Sequence, residues 1–486
     1  MFTNLPYQHR YLAVVGVLAI LAAALSAQIL LRCSPRPQPN VLFITMDSLR
    51  HDHLGCAGYE RARTPHIDAL AKDGVVFREA IAQGTYTRIS VPSMVTGKFP
   101  FFAGVRTFSR QLDSLHTTLA EALSADGYAT VATIQMYSKS FYQGFDEFPI
   151  ADRTTEKQTQ RACQALEDHG DGRFFIWLYY WDPHTPYVPP VEFMKPYEPD
   201  YGAFSPGEKT TRGKGAQERL RDHTGHYNGS ITTLLSLNLG KITLTPEDRE
   251  HLINLYDAEI AYVDVEIGKV MAELKKMGQY DNTMIVLNSD HGEAFGEHGK
   301  YSHGMTVYDE MIRVPLIIKP PHSRDTGKVV WGQVRNIDIM PTILDYCGLQ
   351  IPQECNGQSL RPFIESQAVP DLPGITETHG TRNFHLLAFR HQGHKVIYDF
   401  IKDKIWLYDL GTDPEESTSL LPESATIEPA SERASAPARQ KEQQMRRELL
   451  DLLSLRQMPD LRLTEKDLGE IDPKTKEQLK ALGYVY

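Results

Sequence analysis

Cysteine and positive charge are both scarce in this chain, and each scarcity removes a class of function. The five cysteines, at positions 33, 56, 163, 347 and 355, include no CxxC pair, so neither a zinc knuckle nor a disulfide framework is indicated. Only Cys347 and Cys355 lie near enough in sequence to close a short bridged loop, and free buried thiols are the reading adopted. Lysine and arginine number 51 against 62 aspartates and glutamates, a formal charge of −11. That balance repels a phosphate polymer, so no nucleic-acid partner is expected. Internal repeats are absent, and so are long apolar runs, with a single exception.

The exception is Tyr11–Leu31, apolar over 21 residues apart from Ser26 and Gln28, which is long enough to cross a bilayer. Its cleavage pattern is poor: Ala24-Leu25-Ser26 is the best offer before the apolar run resumes at Ile29. Residues 11–31, after a flank of 1–10, therefore read as an uncleaved transmembrane anchor, with a cleaved signal as the alternative. Arg10 precedes the run while Arg32 and Arg36 follow it, so charge counting leaves its orientation open.

The rest is ordinary globular chain, 41% hydrophobic and 23% charged, and 486 residues exceed one usual domain. A Pro-rich linker (32–39) leads into a body over 40–370. Three alternating segments, Leu386–Arg390, Lys395–Phe400 and Ile405–Leu410, predict a small antiparallel sheet in a unit over 371–421. Residues 422–440 are rich in Pro, Ala, Ser and Glu and read as a linker. Helices and a tail over 441–486 complete the chain, one helix being placed at Lys441–Leu455.

Two short apolar runs organise the body. Thr283–Gly304 (TMIVLNSDHGEAFGEHGKYSHG) opens with Met284–Leu287, a strand covered on both faces, and then delivers Asp290 and His291 at its carboxyl end. Val41–Met46 (VLFITM) is a second such strand, ending in Asp47. A carboxylate beside an imidazole is half a divalent-cation site, although an isolated Asp-His pair is more commonly a salt-bridged loop pair. Gly84–Pro100 (GTYTRISVPSMVTGKFP) crowds hydroxyls into a segment that becomes helical and stops near Thr96-Gly97. A hydroxyl at such a helix start, close to a cation, is placed to be a nucleophile; the plainer reading is a Ser/Thr cap. Gly172–Asp182 is another strand, followed by Asp182, His184 and Tyr187. Thr245-Pro246-Glu247-Asp248 caps a helix that Leu252, Leu255, Val263, Ile267, Val270 and Leu274 pack on the sheet. Residues 195–245 turn polar and read as a surface insertion or substrate rim.

The order DSLRHDHLGCAGYERARTPHIDALA, TRISVPSMVTG, WDPHTPY, NSDHGEAFGEHG, IRVPLIIKPP, DIMPTILDYCGL and LYDLGTDPEE, with LKALGYVY at the end, resembles the sulfatase family of the alkaline-phosphatase superfamily. The resemblance runs from about Asn40 to Glu416. It implies an α/β fold: a large mixed, mostly parallel sheet sandwiched by helices, with a small C-terminal α+β subdomain. It also implies that Asp47, Asp290 and His291 bind one metal ion and that the nucleophile position falls on Thr87, itself a metal ligand. His184 matches the family histidine near the leaving group, and His303 falls close to where many members carry a lysine that contacts the anion. Arg88, Lys98 and His303 are the expected substrate-binding residues.

The departures from the family pattern are chemical. Sulfatases carry cysteine or serine for conversion to formylglycine, and Thr87 cannot be so converted. Ile89 and Val91 replace the signature Pro and Arg, Ser48 stands where a second metal-binding Asp is usual, and no GKWHLG-like segment follows Gly127-Tyr128. A threonine ester cannot collapse to an aldehyde, which tilts the chemistry toward phosphorus.

Three readings follow: a sulfatase-type hydrolase acting through Thr87 and His184, a phosphoric or phosphonic ester hydrolase or phosphotransferase, and a metal-binding homologue without catalysis. Resemblance suggests Ca²⁺; a nitrogen ligand and one fewer carboxylate suit Mn²⁺ or Zn²⁺. The expected partners are a small-molecule or glycan ester and, through the anchor, a membrane, with the catalytic domain extracytoplasmic. Oligomeric state is not legible.

Overall fold

The computed structural model describes residues 38–107, 110–133, 139–148, 154–199, 201, 226–323, 326–380, 384–427 and 435–454. The anchor at 11–31, most of the 32–39 linker, part of the 195–245 insertion and of the 422–440 linker, and the tail after 454 lie outside them. No helix among the described residues is long and apolar enough to cross a membrane.

The strands in chain order are β1 (Asn40–Met46), β2 (Val75–Ile81), β3 (Ala129–Ala132), β4 (Phe174–Tyr180), β5 (Thr283–Asn288), β6 (Ala294–Phe295), β7 (Tyr301–Ser302), β8 (Arg313–Lys319), β9 (Lys328–Arg335), β10 (Gly374–Gly380), β11 (Phe384–His391), β12 (His394–Asp399) and β13 (Lys404–Asp409). The helices that matter below are α1 (Pro65–Asp73), α2 (Thr87–Thr96), α3 (Thr155–His169), α4 (Pro246–Lys276), α5 (Ile339–Tyr346) and α6 (Ala436–Ser454).

Seven strands form one sheet in the order β3-β4-β1-β5-β8-β2-β9. Four of its six pairings are parallel; β8 runs against both β5 and β2. Every residue of β1, β4 and β5 is buried, as their unbroken apolar runs require when helices cover both faces. Alternation along the strands sorts side chains between two cores. Leu42, Ile44, Ile176, Leu178, Ile285 and Leu287 join α1, α3 and α4 on one face. Val41, Phe43, Phe175, Trp177, Tyr179, Met284 and Val286 join α2 and α5 on the other. This is an alkaline-phosphatase-like α/β fold.

Helix α4 starts where its sequence signals it. The Thr245 hydroxyl accepts from the Asp248 amide while Asp248 accepts from the Thr245 amide, and Pro246 fills the first turn. A second sheet, β10-β11-β12-β13, is antiparallel throughout. It includes β10, which the alternation pattern did not disclose. Leu387, Phe389, Val396 and Leu407 pack there against Phe99, Phe101 and the Met445 and Leu449 of α6, a helix beginning five residues before the expected Lys441. Lys395, buried on β12, pairs with Glu416 at 2.8 Å and Asp309 at 2.5 Å, tying this sheet to the segment before β8. Cys56, Cys163, Cys347 and Cys355 are all free thiols.

Candidate active site

Strands β1 and β5 are direct parallel neighbours, with Val41 opposite Met284 and Thr45 opposite Asn288. Asp47 and Asp290 therefore emerge side by side at the carboxyl edge of the sheet. The turn after β1 is held by Ser48 in the left-handed region (φ +63°), an uncommon conformation for serine that its neighbours must impose. Its amide donates to Asp290 Oδ1 at 3.4 Å, its hydroxyl to Asp47 Oδ1 at 3.1 Å, and its carbonyl accepts from the Tyr256 hydroxyl at 2.7 Å. After β5, the loop is fixed by Gly292, whose amide donates to the Met311 carbonyl at 2.8 Å. A side chain there would overlap the Glu310 carbonyl.

One ligand atom each from Asp47, Asp290 and His291 falls within 4.8 Å of the others, and all three residues are buried. His291 Nε2 lies 3.5 Å from both Asp47 Oδ1 and Asp290 Oδ2. Its Nδ1 meets the Gly292 carbonyl at 3.0 Å, which keeps the proton on Nδ1 and leaves the Nε2 lone pair facing the carboxylates. Burial, and then the adjacent Asp290 charge, hold the Asp47 carboxyl well above its usual range. Two buried carboxylates converging on an imidazole lone pair make a mixed O,O,N donor set that a divalent cation satisfies. The residues present fit the metal that the resemblance implies.

Thr87 is the first residue of α2, and its hydroxyl points into this cluster, 3.4 Å from Asp47 Oδ2 and 3.3 Å from His291 Nε2. The helix terminus favours negative charge at that oxygen. Ser90, one turn on, donates to the Asp290 carbonyl at 2.6 Å and locks α2 to the β5 loop.

The histidines form a row: the His291 and His303 ring centroids are 4.6 Å apart, and so are those of His303 and His184. His184 Nδ1 meets the Thr185 carbonyl at 2.6 Å. Burial first, then the neighbouring imidazoles, hold His184 well below the usual histidine value, and burial and His291 do the same to His303. Both are therefore neutral in the resting protein, and proton donation by His184 requires an anion bound beside it.

The other expected binding residues divide. Arg88 is half-buried one residue beyond Thr87. Lys98 lies past the far end of α2, its ammonium 3.0 Å from His116 Nδ1 and 3.6 Å from Glu354. Ten residues of helix put it about 15 Å from Thr87, so the structure does not bring it to the cluster.

Two residues of the site went unseen in the sequence. Tyr179 on β4 places its hydroxyl 2.9 Å from Asp47 Oδ2 and 3.1 Å from Asp290 Oδ2. Glu293 Oε2 lies 3.2 Å from His303 Nδ1, and burial pushes its carboxyl up to about 8. Position was the available signal for Glu293, two residues after His291. Tyr179 gave none, being one of seven successive apolar or aromatic residues in β4.

Comparison with known proteins shows the family and the fold. The family described as Sulfatase matches residues 39–349, and N-sulphoglucosamine sulphohydrolase, C-terminal, matches 296–433. An N-acetylglucosamine-6-O-sulfatase of Bacteroides thetaiotaomicron is 24% identical over 467 residues, covering 79% of this chain and 82% of that protein. A structure solved in complex with D-glucosamine-2-N,6-O-disulfate has a TM-score of 0.72 at 20% identity, covering 88% of this chain and all of that one. The phosphonate monoester hydrolase of Agrobacterium radiobacter has a TM-score of 0.67 at 21% identity, covering 88% and 99%. At these identities the two structures speak for the fold alone.

Proposed function

Because the chain belongs to the sulfatase family of ester hydrolases, we propose that it cleaves sulfate or phosphorus esters with Thr87 as an unmodified nucleophile. The observation that carries this reading is the Thr87 hydroxyl at the start of α2, 3.4 Å from Asp47 and 3.3 Å from His291. Asp47, Asp290, His291 and Thr87 would hold one divalent cation, and their mixed donors suit Mn²⁺ or Zn²⁺ better than Ca²⁺. When bound, such a cation lowers the pKa of the threonine hydroxyl and offsets charge that develops on the ester oxygens.

Thr87 Oγ1 attacks sulfur or phosphorus, and the bond from that atom to the leaving oxygen breaks. The proton lost by Thr87 is returned to the departing alcohol through His184, whose affinity for it rises once the anionic ester lies alongside. Glu293, beside His303 Nδ1 and kept protonated at neutral pH by its burial, holds the His303 ring in place within the row. Water then attacks the sulfated or phosphorylated threonine at the central atom and restores the hydroxyl. A glycan ester is the substrate class that the named relatives suggest. Threonine in place of a convertible cysteine or serine favours a phosphoric or phosphonic ester as the second reading.

The test compares 4-nitrophenyl sulfate, 4-nitrophenyl phosphate, a phosphate diester and phenylphosphonate with Ca²⁺, Mn²⁺ and Zn²⁺, in wild type and T87A. Turnover that falls by about 10³-fold or more in T87A supports the reading. Equal turnover in T87A sinks it, and metal binding without any turnover makes the chain a non-catalytic homologue. Residues 11–31 are proposed as the anchor, placing the body outside the cytoplasm. Recovery of the full chain from the soluble fraction would exclude this.

A further inference from the structure

Helix α4 reaches both halves of the site from one face. The Tyr256 hydroxyl donates to the Ser48 carbonyl at 2.7 Å, in the turn that follows Asp47. Three residues on, a spacing that puts both side chains on the same side of a helix, Glu259 Oε1 accepts from the Val188 amide at 2.5 Å. Val188 ends the loop that carries His184.

The loop sets the His184 ring through its own backbone, since Nδ1 meets the Thr185 carbonyl at 2.6 Å. Whatever fixes Thr185 therefore fixes the ring. The Thr185 hydroxyl donates to the Gly229 carbonyl at 3.0 Å, and the Tyr187 amide reaches the same carbonyl at 3.2 Å. Upstream, Asp182 accepts from the Thr155 hydroxyl at 2.6 Å. Glu259 is the clamp at the downstream end, and it is a destabilising choice of residue for that place. It is 2% exposed, yet its second oxygen, Oε2, has no hydrogen-bond partner among the described residues. Burying a carboxyl with one oxygen unsatisfied costs free energy that an apolar side chain packed there would not. Such a conflict with packing is what functional positions show. Burial first, and then the Asp182 charge, hold the Glu259 carboxyl well above its usual range, which favours the neutral acid. Glutamine reproduces the acceptor oxygen of a neutral acid, and methionine does not.

We propose that Glu259 is a positioning residue for protonation of the leaving group: by holding the Val188 amide it fixes the loop that presents His184 to the departing oxygen. Glu259 touches neither ester nor metal in this scheme and acts only through the loop. The inference rests on the ester-hydrolase reading with His184 as the acid, and on no particular central atom.

The experiment uses the full chain with the metal that best supports turnover, and aryl esters of one central atom running from 4-nitrophenyl, a good leaving group, to phenyl, a poor one. It measures kcat and KM across that series in wild type, E259M, E259Q, H184A and H184A/E259M. A poor leaving group needs the proton that a displaced His184 no longer delivers, whereas 4-nitrophenolate departs without it. E259M should therefore lower kcat about tenfold more for the phenyl than for the 4-nitrophenyl ester, with KM little changed, and E259Q should recover most of that loss. In the H184A background E259M should add nothing to the leaving-group dependence. Where E259M fails to fold, V188P removes the same hydrogen bond at a residue that is 40% exposed, and the same pattern is expected. A change of equal size across the series in E259M, with a steepened series in H184A, overturns the proposal and leaves the Thr87 and His184 mechanism standing. A series that H184A does not steepen rejects His184 as the acid and the proposal with it, as does a wild type that turns over none of the esters.

Discussion

The Tyr179 hydroxyl donates to Asp47 Oδ2 at 2.9 Å while lying 3.1 Å from Asp290 Oδ2, so one proton serves two carboxylates. It holds the two expected metal ligands at a fixed separation. Removing only that hydroxyl leaves the ring's packing against Trp177 intact. Tyr179→Phe is expected to weaken divalent-metal affinity about 10- to 100-fold, as supporting hydrogen bonds do at metal sites. The thermal midpoint of the metal-free protein should move little. Calorimetric titration with Mn²⁺ measures this, and unchanged affinity would refute the role given to Tyr179.

That residue also marks the limit of what the sequence could disclose. Apolar runs ending in Asp47 and in Asp290-His291 foretold two buried strands and acids at their carboxyl ends, and β1 and β5 are direct neighbours. Strand parity decides the rest: Tyr179 shares a face with Phe175 and Trp177, the face on which α2 lies, but without the strand order that fact has no meaning. The antiparallel β8 was invisible for the same reason, since direction is set by tertiary pairing. Strand β10 (GITETHG) hid because Thr376, Thr378 and Glu377 are satisfied by carbonyls at 82 and 304 and by Arg106, not by water. Motif order singled out Thr87, His184 and His303, which stand close to one another here, whereas Lys98 meets His116 and Glu354 beyond the end of α2.

The position of Lys98 can be checked directly. Its ammonium is engaged by His116 and Glu354 beyond the end of α2, so Lys98→Met should leave kcat/KM within about threefold of wild type. The thermal midpoint should fall, because a buried stem and its partners are disturbed. A loss of activity above about 100-fold with unchanged stability would mean that the ammonium reaches the ester in solution.

Metal affinity should depend on pH in one direction. Burial and the Asp290 charge raise Asp47 well above the usual carboxylate range, and a protonated Asp47 is a poor ligand. A raised folded pKa means that the metal-free protein loses stability as pH climbs through it, while binding gains as the proton leaves. The dissociation constant for Mn²⁺ should therefore tighten from pH 5.5 to 7.5, with protons released on binding. Affinity that weakens over that interval would contradict the assignment of Asp47 as a ligand.

Asp264 offers a prediction independent of catalysis. Its carboxylate accepts from the Ile67 amide at 2.8 Å and the His66 amide at 3.1 Å, at the start of α1, and burial pushes its pKa up to about 7 from an ordinary 3.8. Because the folded pKa exceeds the unfolded one, its contribution to stability is greatest below about pH 4 and is lost progressively as pH rises to about 7. An asparagine keeps an acceptor oxygen for the two amides and never ionises. Asp264→Asn should thus differ little from wild type at pH 4.5 but gain on it at pH 8, by about 2 kcal/mol or several degrees in Tm. Thermal unfolding of both proteins at the two pH values, with saturating metal, decides the matter. A variant that loses ground as pH rises would show that the two amides stabilise the carboxylate more than burial penalises it.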